Sequence, residues 1–196
     1  MLATMLREPT IDLVLQECAA FDNDPFAELS EKALEELRLR FPRNTEISHI
    51  LLKVIVLNQL YSTRINYIDL VPFALHITGL GIDETIERGS PSAVDQIWNC
   101  EGMRNYYSFA TKFCSWHHPA AYPIYDHYVD ECLWAYKKQD QFFDFHRQDL
   151  YDYEKLVKIV TIFREHYRLG NFSFRQIDKF LWQTGYKILS ERSADL

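Results

Sequence analysis

Apolar residues recur at intervals of three and four along nearly the whole chain, and no stretch shows the alternation of period two that a half-buried strand requires. The pattern predicts an all-α fold. Residues 10–21 and 25–41 read as amphipathic helices. Asp24 is placed to cap the second ahead of Pro25, and Glu28, Glu31, Lys32, Glu35 and Glu36 give that helix a charged outer face. Thr45 is placed to cap a helix over 46–61, where Ile50, Leu51, Leu52, Val54, Ile55, Val56 and Leu57 surround the axis, as expected of a central helix buried on most sides. A helix over 66–78 ends at Gly79-Leu80-Gly81. Ser90 is placed to cap 91–99, Gly102 opens a turn, and 106–117 is helical. Pro119 and Pro123 impose a loop before a helix over 125–138, and Gly170-Asn171 divides two last helices, 151–169 and 173–189.

Composition narrows the class without naming a function. With 196 residues, 47% hydrophobic, 7 Pro and 6 Gly, the chain is neither collagen-like nor of low complexity. A chain of this length buries roughly 70% of its unfolded surface. We expect a single domain over 1–196, with closely packed helical lobes around 45–145 and around the N- plus C-terminal helices. The start, MLATMLREPT, has no basic segment followed by an apolar one, and Lys53 interrupts the longest apolar run, 50–57, so neither secretion nor a membrane span is expected. Cys18, Cys100, Cys114 and Cys132 form no CxxC pair, which fits reduced thiols in a cytoplasmic protein and excludes a zinc ribbon. The net charge of -7 arises in the first half of the chain, where residues 1–101 hold 8 Lys/Arg against 16 Asp/Glu and the remainder 13 against 12. Residues 155–192 carry eight basic side chains against three acidic ones, a distribution that permits DNA binding without requiring it.

Chemistry enters with Lys112 and Asp126, joined by FCSWHHPAAYPIY. Asp126 falls just after Pro123 at a helix start, where unpaired backbone N–H groups and the positive dipole end favour a carboxylate. Lys112 lies on a helix rich in Phe109, Phe113 and Trp116, and an amine in apolar surroundings can become a nucleophile. In one cleft the two suit glycosidic-bond cleavage, the carboxylate stabilising a cationic sugar while amine or water attacks.

The segments SFATKFCSWHHPAAYPIYDHYV, KVIVLNQLYSTRI and RQIDKFLWQTGY, within about 45–190, resemble the bacterial 8-oxoguanine branch of the helix-hairpin-helix DNA glycosylases. The resemblance implies a two-lobed helical bundle with a divergent hairpin, acting on double-stranded DNA that carries a damaged or modified base. It gives Asp126 the role of promoting base excision. Lys112 becomes the candidate nucleophile for an added β-lyase step, although it lies about one turn beyond the family's usual lysine position, near Ser108. Gln59 corresponds to the residue that fills the gap left by a flipped base, with Asn58, Tyr61 and Arg64 beside it as DNA contacts. CEGMRNYY stands where the family has a glycine-rich phosphate-binding hairpin, leaving Gly102, Arg104 and Asn105 for that contact. Phe109, Trp116, His117, Asp178 and Trp182 are the candidate base pocket, ahead of Tyr122 and Phe180. No metal or organic cofactor is implied.

Three other readings compete. Arg43-Asn44-x4-His49 has the spacing of HEPN-type ribonucleases, with Arg43 and His49 as the working pair. Cys114, His117, His118, Asp126 and His127 offer a short metal-like cluster. The same fold also suits a non-catalytic DNA-binding or interaction module.

Overall fold

A computed structural model describes residues 5–194 of the protein. Among the described residues the regular structure is entirely helical, without strands. Ten α-helices follow in order: α1 (Ile11–Asp22), α2 (Pro25–Arg40), α3 (Ile47–Leu60), α4 (Leu70–Leu80), α5 (Asp83–Glu87), α6 (Ser92–Trp98), α7 (Tyr107–His117), α8 (His127–Asp140), α9 (Tyr153–His166) and α10 (Phe174–Ala194). Short 3-10 turns, Tyr67–Asp69 and Arg147–Tyr151, precede α4 and α9. The chain divides into a central unit, Pro25–Tyr122, and a terminal unit formed by its two ends, Met1–Asp24 with Pro123–Leu196. The sequence pattern puts the lobe boundaries near 45 and 145. The structure places them at 25 and 123, because α2 packs on α3 and α8 packs on α10.

In the central unit, α3 packs on α4, and α6 on α7. The helix buried on most sides is α7, where every residue from Phe109 to Ser115 is inside. It is not α3, as the apolar run predicts. Only Ile50, Lys53, Val54 and Leu57, one face at helical spacing, are buried there, while Leu52 and Ile55 are 40% and 43% exposed. Two predicted caps also move. The N-cap of α3 is Glu46 rather than Thr45, and Ser90 directs its hydroxyl to Ser92 Oγ at 2.9 Å while Pro91 takes the cap position of α6. Gly81, at φ 58°, closes α4 in the left-handed conformation that glycine adopts without strain.

The terminal unit is built on α10, which packs along α8 and α1. Tyr136, Phe163 and Phe180 fill its centre with ring contacts of 5.6–6.4 Å. The basic stretch of the sequence is not an open basic face. Lys179 pairs with Asp22 at 2.5 Å, Lys187 with Glu17 at 2.6 Å, Arg192 with Glu131 at 2.7 Å, Lys155 with Asp149 at 2.8 Å and Arg175 with Asp178 at 2.7 Å. Arg147 adds a second guanidinium on Glu131 and one on Asp130. Most of the apparent surplus therefore fastens α10 and α9 to acidic residues, several of them far away in sequence.

The most extensively packed helix pair in this unit, α8 and α10, meets backbone to backbone at Gly185. A Cβ built on Gly185 would lie 2.0 Å from the carbonyl oxygen of Tyr128, in the first turn of α8. The two backbones touch there because no side chain intervenes. Gly185→Ala must push α10 away from the start of α8, and overpacking of this kind costs about 1–3 kcal/mol or more. Urea unfolding is expected to show a loss of at least this size, against the small gain that Gly→Ala gives at an open helix position. Unchanged stability would contradict the contact.

Candidate functional site

Several sequence-predicted residues meet at the turn that follows α3. Asn58 does not face outward as a DNA contact. Its Oδ1 accepts from Thr63 Oγ1 at 2.9 Å and from Ile65 N at 2.8 Å, and its Nδ2 donates to Ile65 O at 3.3 Å. The amide thus clamps the turn over residues 61–65. Within it Ser62 and Arg64 hold left-handed backbone, φ 51° and 60°, an uncommon conformation for residues with a Cβ that persists where surrounding contacts enforce it. Lys112, buried on α7, donates from Nζ to Tyr61 O at 3.4 Å and lies 5.6 Å above the Tyr61 ring. Tyr61 is therefore the support under the turn, and Lys112 is its anchor. Arg64 is exposed on the turn, and Gln59 is exposed in the last turn of α3 before it.

Between α6 and α7 the chain makes a turn that contains one glycine, Gly102. Met103 N bonds to Cys100 O at 3.2 Å, Gly102 takes φ 77°, and a Cβ at Gly102 would meet nothing within 4 Å, so its backbone is open to approach. Arg104 is exposed beside it. Asn105 serves the fold: its Oδ1 accepts from Tyr107 N at 2.8 Å and satisfies the first turn of α7.

Of the pocket candidates, Phe109 is wholly buried between Phe73 and Phe113, with ring centroids at 5.3 and 5.9 Å, and belongs to the core. Trp116 and His117 lie instead beside a feature the sequence did not reveal. Lys53 is fully buried, donating to Arg43 O at 2.9 Å and Asn44 Oδ1 at 2.8 Å, with its ammonium 5.8 Å from the Trp116 ring. Asp83 accepts from Asn44 N and Nδ2 at 3.1 and 2.7 Å and pairs with Arg43 at 3.2 Å. A cavity of about 320 Å³ opens here, lined by Arg38, Asn44, Asp83, Glu87, His117 and His118 among others. His117 Nε2 is shielded from solvent and has no hydrogen-bond partner. The advance signal was Lys53 itself, a charge inside an apolar run.

Of the ribonuclease pair, this network contains Arg43 but not His49. The Arg43 guanidinium is held by Asp83 and, at 3.4 Å, by Glu87, while His49 packs on Phe41 with centroids 4.2 Å apart. Among the described residues, no group of three His, Cys, Asp or Glu side chains is arranged to hold a metal ion.

In the terminal unit Asp126 is the N-cap of α8. Its backbone is extended, φ -153° and ψ 179°, and Oδ1 accepts from the N–H groups of Tyr128 and Val129, each at 3.0 Å. The carboxylate is thus fixed at the positive end of a fourteen-residue helix, with 8% of the residue's surface exposed. The loop before it is pinned where Tyr153 Oη donates to Pro123 O at 2.9 Å. Tyr128 meets Trp182 edge-on at 5.2 Å, and Trp182 stacks on Tyr186 at 5.6 Å with planes 8° apart. Trp182 is half-buried and Tyr186 exposed, so an aromatic shelf lies beside the helix start that carries Asp126. Asp178, one turn before Trp182, is buried against Arg175.

Residues 13–121 match the family model HI_0787_N, an N-terminal domain, over more than half of the chain. A relative from Haemophilus influenzae named "Uncharacterized protein" is 36% identical over 149 residues, 74% of this chain and 70% of the relative. The chain belongs to this family. No solved structure matches. The family match takes in the turn after α3, the turn between α6 and α7, Lys112 and the cavity around Lys53, and ends before Asp126.

Among the described residues, no helix is long and apolar enough to cross a membrane. The four cysteines form no disulfide.

Two bases, Lys53, which is buried, and His117, whose Nε2 is shielded from solvent, are expected to make stability depend on pH. Burial, reinforced by the charges of Lys53 and Arg38, lowers the His117 pKa from 6.5 to about 3. Burial, partly offset by Asp83, lowers that of Lys53 from 10.5 to about 8. In each window the unfolded chain binds the proton and the folded one does not, so stability rises with pH. Folded protein should weaken as pH falls from 6.5 toward 3, and strengthen from 8 toward 10.5 as far as these groups act. His117→Phe, which keeps an aromatic ring against Phe113 and Trp116, should flatten the acid limb in urea titrations. An unchanged slope below pH 6.5 would show that His117 is not the source.

Proposed function

We propose that the protein is a DNA glycosylase of the helix-hairpin-helix type, which extrudes a damaged or modified base from double-stranded DNA and hydrolyses its N-glycosidic bond. The observation that carries the reading is Asp126, a carboxylate held after a proline loop by the first N–H groups of α8, beside the shelf of Trp182 and Tyr186. As the bond to the base breaks, positive charge develops on the sugar, and a fixed carboxylate stabilises it without reorganising. Water then completes the hydrolysis. The base stacks on the aromatic shelf, as flipped bases do.

The clamped turn after α3 supplies the second requirement. Gln59 enters the stack and Arg64 contacts the strand, on a backbone that Asn58 and Lys112 hold rigid. Gly102 and Arg104 meet a phosphate at the hairpin. Lys112 is engaged with the Tyr61 carbonyl, which favours a monofunctional enzyme with Lys112 as a positioning residue over a β-lyase with Lys112 as nucleophile.

End-labelled duplexes, each with one damaged or modified base, are the test. At least one should show strand breaks only after hot alkali, with no borohydride-trapped adduct. Gln59→Ala should slow excision by roughly tenfold or more, because unstacking costs a few kcal/mol and the plug offsets part of it. A trapped adduct abolished by Lys112→Ala would establish the lyase instead. Absence of both excision and duplex binding across the panel would overturn the proposal.

A further inference from the structure

At the C-terminal end of α8 a second cavity, of about 260 Å³, is lined by Trp134, Lys137, Lys138, Gln141, Phe143 and Asp144. It is just below the ~300 Å³ lower end for small-molecule pockets, enough for one heteroaromatic ring. Its floor is aromatic: Trp134 meets Phe145 edge-on at 6.0 Å, and Phe143 stacks on Phe145 at 6.3 Å. Cations gather on that floor. The ammonium groups of Lys137 and Lys138 each lie 5.3 Å from the Trp134 ring centre, and that of Lys158, from α9, lies 5.6 Å from the centre of Phe143. Lysines in a last helical turn offset the helix dipole wherever they point. That role explains neither the arrival of Lys158 from a separate helix nor a half-buried tryptophan with two ammonium groups close to its ring. The acidic counterpart is slight, since Asp144 is fully exposed and 3.8 Å from Lys137. Gln141, at φ 49°, ends the helix in left-handed backbone at the cavity's edge and contributes an amide.

Flat rings with three converging cations match a ligand that is aromatic at one end and anionic at the other. We propose that this cavity binds a nucleotide, with the base stacked on Trp134 and the phosphate held by Lys137, Lys138 and Lys158. The base displaces a lysine from the ring face, and that lysine moves to the phosphate. The site is separate from Asp126 and does not rest on the excision reading. The nucleotide is either free in solution or one unit of a single strand, and the two sources present the same chemistry.

Titrations of the full chain with adenosine monophosphate, by calorimetry, and with a short fluorescein-labelled oligothymidylate, by anisotropy, separate the sources. Saturable binding of the mononucleotide assigns a small-molecule site, and binding of the oligonucleotide alone assigns a single-strand contact; either supports the proposal. Lys137→Ala with Lys138→Ala, checked for an unchanged unfolding temperature, should weaken binding about tenfold. For the oligonucleotide the salt slope should fall by about 0.7 for each phosphate that the variant no longer neutralises. Trp134→Leu keeps apolar bulk against Phe145 while removing the stacking face, and should weaken binding roughly tenfold or more. Failure of both ligands to bind, or binding unmoved by these variants, would overturn the proposal.

Discussion

The contact between Gly185 and the carbonyl of Tyr128 sets the geometry of the terminal unit, because it brings the longest helix directly onto the first turn of α8. Everything that gives Asp126 its character follows from that turn. Its N–H groups are the ones the carboxylate accepts from, and the same approach lets Tyr128, Trp182 and Tyr186 meet as a half-exposed shelf. The ion pairs of α10 with Glu17, Asp22 and Glu131 hold the helix in register along its length. A helix cap is an ordinary device, but here it is assembled with aromatic surface beside it and a tyrosine pinning the loop before it.

The central unit has a polar counterpart in Lys53. An ammonium buried among apolar helices is costly unless its hydrogen bonds are met, and here two oxygens are recruited from the stretch between α2 and α3. Asn44 then passes the interaction on to Asp83, and Asp83 to Arg43, so that α5 and the start of α3 share one network. A second internal amine, Lys112, does comparable work at the other end of α3, where it fixes the Tyr61 carbonyl. Both lysines shape loops that connect helices. Gln59, in the last turn of α3, and Arg64, in the turn that follows, are exposed beside backbone that these side chains hold, with Ser62 and Arg64 in left-handed conformation.

How much of this was legible in the sequence depended on the distance over which partners act. Helical periods, prolines and the Asp126 cap are local, and they read to within a few residues. The short α5 carries too few residues for a period to show. Lys53 reads as an interruption because periodicity assigns charge to the surface, and nothing nearby announces that Asp83, about thirty positions on, belongs to its network. The resemblance makes Asn58 a DNA contact because it adjoins Gln59; its fold-back on Ile65 is visible only once the turn exists. The basic excess of 155–192 misleads for the same reason, its acidic partners including Glu17, Asp22 and Glu131.

Asparagine caps helices about as well as aspartate, so Asp126→Asn separates a carboxylate needed for chemistry from one needed for the fold. The decisive measurement is single-turnover base release from the best duplex substrate by the wild type and Asp126→Asn, with thermal unfolding of both proteins in parallel. If the carboxylate stabilises the developing charge, the rate falls by at least about a hundredfold, the scale of one preorganised electrostatic group, at nearly unchanged unfolding temperature. Equal rates would reduce Asp126 to a helix cap and contradict the assignment.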